Sequence, residues 1–515
     1  MGANKMRVPR WIRIISKQKV LVALLILAQF ALIGYSIFSH SLVSDIVRSA
    51  ATLTSFCVGL HVFVSKNKPA YKISLLVLIT AFPLFGGVFY LLYKGNVIWY
   101  SLYKRSKEVN ADSLAMFKLF DSAAEEAKKE MPEFAAQINY LDGNLGLPIY
   151  KNTETRYFSS GEETFAALCE ELKNAEKYIF LEFFIVREGK MWSAIEEILK
   201  ERVLAGVDVR VIYDDMGSMR GLSDRKIREL ENLGVKISVF NMFVPFISSS
   251  QNHRDHRKIA VIDGKTAFTG GVNIADEYIN ELERFGHWKD TAVKLSGDGA
   301  WSFTLMFLRM WSLCQKSEED YASYYPPNMP RRDVEGYVLP YSDSPIDTEY
   351  IGENVYMQMI NGAREYLYIT TPYLIVDDDM MSALTLAAKS GVDVRVITPY
   401  RYDKFLVHFT TRSYYKQLID AGIKVYEYTP GFMHSKTFVS DDRRAVVGTV
   451  NMDFRSLYLH FECGAVFYDT PVVADVKKDF LDTLKQCHRI TEEDCRRGAL
   501  VRFCRSIIRL FAPMM

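Results

Sequence analysis

The chain has almost no net charge. Its 515 residues carry 63 Lys and Arg against 62 Asp and Glu, so no global basic field prepares it for a polyanion, which disfavours nucleic acid as a partner. Any anionic partner has to be met by local clusters. Paired cysteines are also missing: the seven, at 57, 169, 314, 463, 487, 495 and 504, show none of the short spacings of a zinc site or a disulfide framework. The odd count leaves at least one outside any intramolecular disulfide, and most read as small buried apolar residues. Hydrophobic residues make up 49% and charged residues only 24%, which excludes a disordered chain. Length is plentiful, too much for one ordinary core, so two catalytic-size domains and an extra region are expected.

The extra region is N-terminal, at 1–95. Residues 20–38 form an apolar run of the length needed to cross a bilayer core of about 30 Å, and 73–93 is a second uncharged run. The Pro83, Gly86 and Gly87 of the second run are tolerated in membranes. Between them, 49–65 is shorter, and whether it crosses is open. Lys5, Arg7, Arg10, Arg13, Lys17 and Lys19 place the N-terminus inside. Three spans then put the remainder outside, and two leave it inside. No small-x-small pattern follows Phe38, so a cleaved signal peptide is not expected. At the other end, 496–515 holds a basic amphipathic helix. Leu500, Phe503, Cys504, Ile507 and Phe511 share one face, with Arg502, Arg505 and Arg509 opposite. It suits either an anionic membrane surface or docking on a core.

An internal duplication organises the rest. The run 205–212, Ala-Gly-Val-Asp-Val-Arg-Val-Ile, recurs at 390–397 with Ser for Ala. His256-x-Lys258-x4-Asp263 recurs as His434-x-Lys436-x4-Asp441, and Asn273 and Asn451 each follow their histidine at the same interval of 17 positions. Each copy alternates helical patterns (165–175, 193–204) with β-rich runs (178–186, 208–213), the pattern of an α/β sheet flanked by helices. The Pro-rich, charged stretch 325–333 reads as a linker. The domains are placed at 110–325 and 334–495.

In a strand, residues i and i+2 share a face, so His256 stands beside Lys258 while Arg257 points away, and His434 stands beside Lys436. Asp263-Gly264 is a tight-hairpin signal. The return strand ends in Gly270-Gly271-Val272-Asn273, whose small residues allow close backbone approach to a ligand. An imidazole nucleophile, an ammonium and an amide can thus meet around a phosphodiester. One histidine attacks phosphorus and another protonates the leaving alkoxide, so both copies are needed.

These paired motifs resemble those of the phospholipase D superfamily. From about residue 60 onward the chain is similar to bacterial cardiolipin synthases. That likeness is carried by 67–72 (Asn-Lys-Pro-Ala-Tyr-Lys), Asp214-Asp215-x-Gly217-Ser218, Thr371-Pro372-Tyr373, Gly448-Thr-Val-Asn-Met-Asp453 with Arg455-Ser456, and His460-Phe-Glu462. The resemblance implies two tandem α/β/α domains related by a pseudo-twofold, and a phosphohistidine intermediate without metal or cofactor. It implies His256 as nucleophile and His434 as general acid and later base. Lys258, Lys436, Asn273 and Asn451 would hold phosphoryl oxygens, and a carboxylate downstream of each motif, Asp290 and Glu462, would orient its histidine. Asp263 and Asp441 complete the motifs, and their position suggests that they hold the hairpins.

Two departures stand out. Val376 and Asp377 to Asp379 replace a commonly found proline, and read as a solvated helix start rather than a metal site. Thr449 stands where the first copy has Gly271. His253 and His256 lie three apart, with no third ligand for zinc apparent.

The resulting expectation is a multi-pass cell-membrane phosphatidyltransferase. It would move a phosphatidyl group between two phosphatidylglycerols to give cardiolipin and glycerol. A different phospholipid donor, a phospholipase or nuclease that uses water, and a membrane scaffold without turnover are the alternatives.

Overall fold

The computed structural model describes residues 27, 31, 35, 41–82, 86–87, 90, 104–109, 116–117, 122–219, 221–242, 249–326, 329–347 and 349–514. They fall into two compact units, one built from 1–101, 243–252 and 507–515, the other from 102–242 and 253–506.

In the first unit, Ser41 caps a 23-residue helix, Leu42–Val64, by accepting from the Ser44 N–H. At 1.5 Å per residue it is about 35 Å long, and among the described residues it is the one helix long and apolar enough to cross a bilayer. Leu42, Val43, Leu53, Phe56, Phe63 and Val64 are exposed along it. A shorter helix, Pro69–Ala81, packs against it through Val58, Val62, Leu75 and Ile79. Residues 49–64 of the segment 49–65, whose crossing the sequence leaves open, thus lie in this helix. The expected span 20–38 lies outside the described residues apart from Leu27, Ala31 and Tyr35. The expected span 73–93 is described as helix only to Ala81 and at 86, 87 and 90.

The second unit is α/β, with two mixed sheets. The first half supplies β1 (Thr153–Phe158), β2 (Tyr178–Phe183), β3 (Asp208–Asp214), β4 (Lys236–Phe240), β5 (Lys258–Ile262), β6 (Thr266–Gly270), β7 (His287–Lys289) and β8 (Ala292–Gly297). The second supplies β9 (Tyr337–Asp343), β10 (Tyr366–Thr370), β11 (Leu374–Ile375), β12 (Asp393–Pro399), β13 (Lys424–Tyr428), β14 (Gly431–Met433), β15 (Thr437–Ser440), β16 (Arg444–Gly448), β17 (Met452–Asp453), β18 (Glu462–Tyr468) and β19 (Cys487–Arg489).

The sheet orders are β1-β8-β6-β5-β2-β3-β4 and β9-β18-β16-β15-β10-β12-β13-β19. Position by position the first seven strands correspond, so the repeat read in the sequence is also a repeat of topology. The central strands β2 and β10 are buried throughout, as continuous apolar runs in a covered sheet should be. Between the sheets runs the helix Gly299–Gln315, apolar around almost its whole circumference and buried accordingly. It packs against β2, β4, β5, β6 and β8 on one side and β9 on the other.

Two short parallel pairings join the halves. β7 pairs with β14, and Asp255 bridges to Phe461. Each of these pairings ends immediately before a residue singled out above: Asp290 and His434 follow the first, His256 and Glu462 the second.

The hairpins explain the motif aspartates. Asp263 and Gly264 both take positive φ, 54° and 67°, as do Asp441 and Asp442 at 56° each, in tight hairpin turns that leave three residues between the paired strand ends. The Asp263 carboxylate accepts the N–H groups of Glu176, Lys177 and Tyr178 at 2.7–2.9 Å. Asp441 accepts those of Arg364, Glu365 and Tyr366 at 2.8–3.0 Å. Each aspartate therefore ties its hairpin to the start of the neighbouring strand, at the end of β5 or β15 far from the histidine. Asp441→Ala is expected to cost about 1–3 kcal/mol by removing three main-chain hydrogen bonds, read as a lower thermal midpoint of the detergent-solubilised protein. An unchanged melting curve with abolished turnover would put that carboxylate in the chemistry instead.

Candidate functional site

His256 and His434 are both buried, and each sits at the mouth of a strand that dives into apolar surroundings. Their backbones are pinned across the halves. The His256 N–H donates to the Phe461 carbonyl at 2.9 Å, and the His434 N–H to the Lys289 carbonyl at 2.7 Å.

Those rungs bring each imidazole to a carboxylate of the opposite half. Nδ1 of His256 lies 2.9 and 3.0 Å from the two oxygens of Glu462, and Nδ1 of His434 lies 2.6 Å from Oδ2 of Asp290. The sequence reading assigned each carboxylate to the histidine of its own copy; the partners are instead exchanged. The physical reason is strand geometry: Asp290 and Glu462 each follow the strand residue paired across the boundary, so they emerge beside the other copy's motif.

Both carboxylates are themselves held. Oδ1 of Asp290 accepts from the Thr291 N–H at 2.9 Å, and Oε2 of Glu462 accepts from the Thr449 hydroxyl at 2.5 Å. The exchange of Gly271 for Thr449 between copies now has a cause. A Cβ at Gly271 would lie 1.9 Å from Oδ1 of Asp290, whereas around the longer Glu462 there is room for a side chain that donates to it.

Lys258 Nζ donates to the His256 carbonyl at 2.6 Å. Lys436 Nζ donates to the His434 carbonyl and lies 2.9 Å from its Nδ1. Burial pushes Lys258 down to about 8 and Lys436 down to about 7, against the pull of Asp290 and Glu462, which both ammonium groups feel. Burial also drives His256 well below its ordinary value, reinforced by the charges of Lys258, Lys436 and His434. His434 falls to about 4 through burial and Lys436, opposed by Asp290. Burial raises Asp290, but His434 and Lys436 outweigh it and hold the carboxyl below its usual range. These mutual influences make the two imidazoles, two ammonium groups and two carboxylates one electrostatic cluster.

The asparagines are not equivalent. Oδ1 of Asn273 accepts from the Ile185 N–H at 3.0 Å, and its amide donates to the Tyr278 hydroxyl at 2.7 Å. Oδ1 of Asn451 is buried without a partner among the described residues. Aromatic walls enclose the cluster: Phe184 meets the His256 ring at 5.1 Å, while Tyr278 and Trp288 meet His434 at 5.5 and 5.2 Å. The Asp214-Asp215-x-Gly-Ser motif supports one wall. Asp214 accepts from the Arg254 side chain at 2.9 Å and the Asp255 N–H at 3.1 Å, and Ser218 holds the 184–186 loop.

Arg257 points away from the site as expected, yet not into solvent: it is buried against Glu182 at 2.5 Å and Asp255 at 3.2 Å. Asp377 caps the helix Asp378–Lys389 through the Met380 N–H. His253 turns its Nδ1 to the Leu459 carbonyl at 3.0 Å. Ligand atoms of His256, His460 and Glu462 lie within 4.8 Å of one another, although Glu462 is already engaged by His256 and Thr449. His460, its ring 5.5 Å from that of His256, enters the site as a neighbour that spacing alone did not single out.

The family described as "Cardiolipin synthase, PLD-like domain" matches residues 168–284 and 356–484. A cardiolipin synthase of Geobacillus sp. is 34% identical over 505 residues, covering 96% of this chain and 99% of that protein. Cardiolipin synthase 2 of Bacillus cereus is 35% identical, covering 90% of each chain. An uncharacterized Streptococcus mutans protein is 46% identical over 86% of this chain and 96% of its own. Among solved structures, phosphatidylserine synthase of Haemophilus influenzae superposes with a TM-score of 0.56 at 15% identity, over 73% of this chain and 99% of that one, which establishes likeness of fold.

The lowered lysines fix a sign for anion binding. Both are charged below about 7 to 8 and lose their protons above that range. Affinity for tungstate, whose charge does not change in this range, should fall about tenfold between about pH 7 and about pH 9 as charge-assisted hydrogen bonds are lost. A constant affinity across that interval would show that the lysines do not meet the anion.

Proposed function

Because the chain belongs to the cardiolipin synthases, with paired phospholipase D-like halves, we propose that it moves a phosphatidyl group from one phosphatidylglycerol to the glycerol hydroxyl of another, giving cardiolipin and glycerol. The observation that carries the reading is the pair of exchanged hydrogen bonds, His256 to Glu462 and His434 to Asp290. With Nδ1–H of each ring donated to a carboxylate, each Nε2 is left to face the reacting group.

In the first step Nε2 of His256 attacks phosphorus. The bond between phosphorus and the departing glycerol oxygen breaks, and that oxygen takes a proton from Nε2 of His434. In the second step, Nε2 of His434 removes the proton from a hydroxyl of the second phosphatidylglycerol. The resulting alkoxide attacks phosphorus and the phosphorus–nitrogen bond to His256 breaks. Lys258 and Lys436 neutralise the phosphoryl oxygens, where charge builds in both transition states.

The division of labour is supported by electrostatics. His256 is held well below its ordinary value and so remains unprotonated, as a nucleophile must. Asp290 opposes the lowering of His434, and a bound phosphodiester would add negative charge beside it, so His434 is the imidazole placed to take up the proton once substrate is bound. Asn451, with an unmatched carbonyl oxygen, suits a glycerol hydroxyl, and Asn273, which gives one amide hydrogen to Tyr278, keeps the other for a phosphoryl oxygen.

Both substrates live in the bilayer. We read the helix Leu42–Val64, together with the apolar runs 20–38 and 73–93, as a multi-pass anchor that keeps the site at the lipid surface and raises the effective concentration of donor and acceptor.

Three measurements test this. Purified protein given phosphatidylglycerol labelled in its headgroup glycerol should release labelled glycerol and form cardiolipin; phosphatidic acid in place of cardiolipin would mark it as a hydrolase. His256→Ala and His434→Ala should each lower that rate by about 10²–10⁴, and retained turnover in both folded variants would reject the mechanism. Glu462→Gln and Asp290→Asn should each cost roughly 10²–10⁴ in kcat with little change in KM, because the wrong tautomer is then presented. An effect confined to KM would show that the carboxylates serve substrate binding.

A further inference from the structure

We infer that the second half carries, separately from the catalytic cluster, a pocket for the phosphodiester headgroup of an anionic phospholipid. A partly open cleft of about 480 Å³ is lined by Tyr400, Arg412, His488, Cys495, Arg497 and Arg505. Its volume falls in the range of about 300–1,000 Å³ that ligand sites occupy, and it shares no residue with the catalytic cluster.

The charges around it do not balance. Arg412 is matched by Glu427, which accepts from it at 2.7 and 2.5 Å. His488 lies 3.3 Å from Asp494, whose carboxylate also closes the capping box with Thr491. Arg497 and Arg505 remain. Arg497 donates to the neighbouring Arg496 carbonyl at 3.2 Å, and Nε of Arg505 is buried without a partner among the described residues. Burial and the charges of Arg497 and Arg412 hold Arg505 below its ordinary value, a sign that like charges crowd here. A phosphodiester oxygen pair placed between the two guanidinium groups would relieve that repulsion and satisfy the orphaned donor, in the fork geometry that favours arginine.

The rim selects a lipid over a free anion. Arg505 belongs to the helix Ala499–Leu510, on which Leu500 is 74% and Phe503 63% exposed. Its guanidinium stacks on Phe409 at 5.3 Å, which sets that helix against Phe405–Asp420, whose first turn exposes Phe405 and Leu406. Apolar side chains left in water on both helices beside a basic pocket match a surface that enters the headgroup layer of an anionic bilayer.

Cys495 lines the cleft as a free thiol and serves as the reporter, with the partly exposed Cys169 of the first half as internal reference. The full chain in detergent, carrying His256→Ala so that no lipid turns over, is alkylated with N-ethylmaleimide, and each site is followed by mass spectrometry. Dihexanoyl phosphatidylglycerol at ten times its Kd should slow alkylation of Cys495 about tenfold, leaving Cys169 unchanged. Dihexanoyl phosphatidylcholine and inorganic phosphate at the same concentration should protect little. Arg497→Gln and Arg505→Gln should abolish protection, and Arg505→Lys should restore part of it. Equal protection by phosphatidylcholine, equal protection by phosphate, or protection that survives both glutamine substitutions would each overturn the assignment. The readout is independent of turnover, so it stands or falls apart from the proposed reaction.

Discussion

Neither half of this molecule can orient its own imidazole. The carboxylate that fixes the tautomer of His256 comes from the second half, and the one that fixes His434 comes from the first. Each bond rests on a main-chain rung laid across the boundary one residue away. A buried carboxylate facing no donor is costly, so docking the halves and building the site are one event. Duplication explains why two equivalent bonds exist, and exchange explains why a single half would be left with an unoriented histidine and an unmatched acid.

Electrostatics follows from the same arrangement. Two ammonium groups and two imidazoles are buried together, and the lowered values of Lys258, Lys436 and His434 express the resulting repulsion and desolvation. Both carboxylates are engaged by imidazoles while Lys258 and Lys436 donate to main-chain carbonyls, and a phosphodiester supplies an anion to those ammonium groups where the protein has already excluded water. The site is thus organised for charge that arrives with the substrate. The arginines of the outer cleft repeat the idea at lower density, with a rim of apolar side chains in place of aromatic walls.

What was legible in the sequence was mostly local. The HxK spacing placed His256 beside Lys258, the Asp263-Gly264 pair announced a hairpin, and repeated segments announced two sheets, because strand periodicity and turn chemistry act over a few residues. Exchange of Asp290 and Glu462 was illegible, since nothing in either copy says which strand its ends will meet. The Gly271 to Thr449 difference carried the signal: a glycine is required where Asp290 presses on the backbone, and a hydroxyl fits where Glu462 needs a donor. The further partners of Asn273 were illegible for a related reason, as Ile185 and Tyr278 reach it only in the folded chain. For the segment 49–65, composition hid a helix that begins earlier, at Leu42, once Ser41 caps it.

The central claim is geometric: imidazoles from separate halves close on one phosphorus. A structure of the full chain with orthovanadate tests it most directly. One vanadium is expected, with Nε2 of His256 at one axial position, Nε2 of His434 hydrogen-bonded to the opposite axial oxygen, and both lysines on the equatorial oxygens. Vanadate bound to one imidazole while the other faces a different cavity would contradict it.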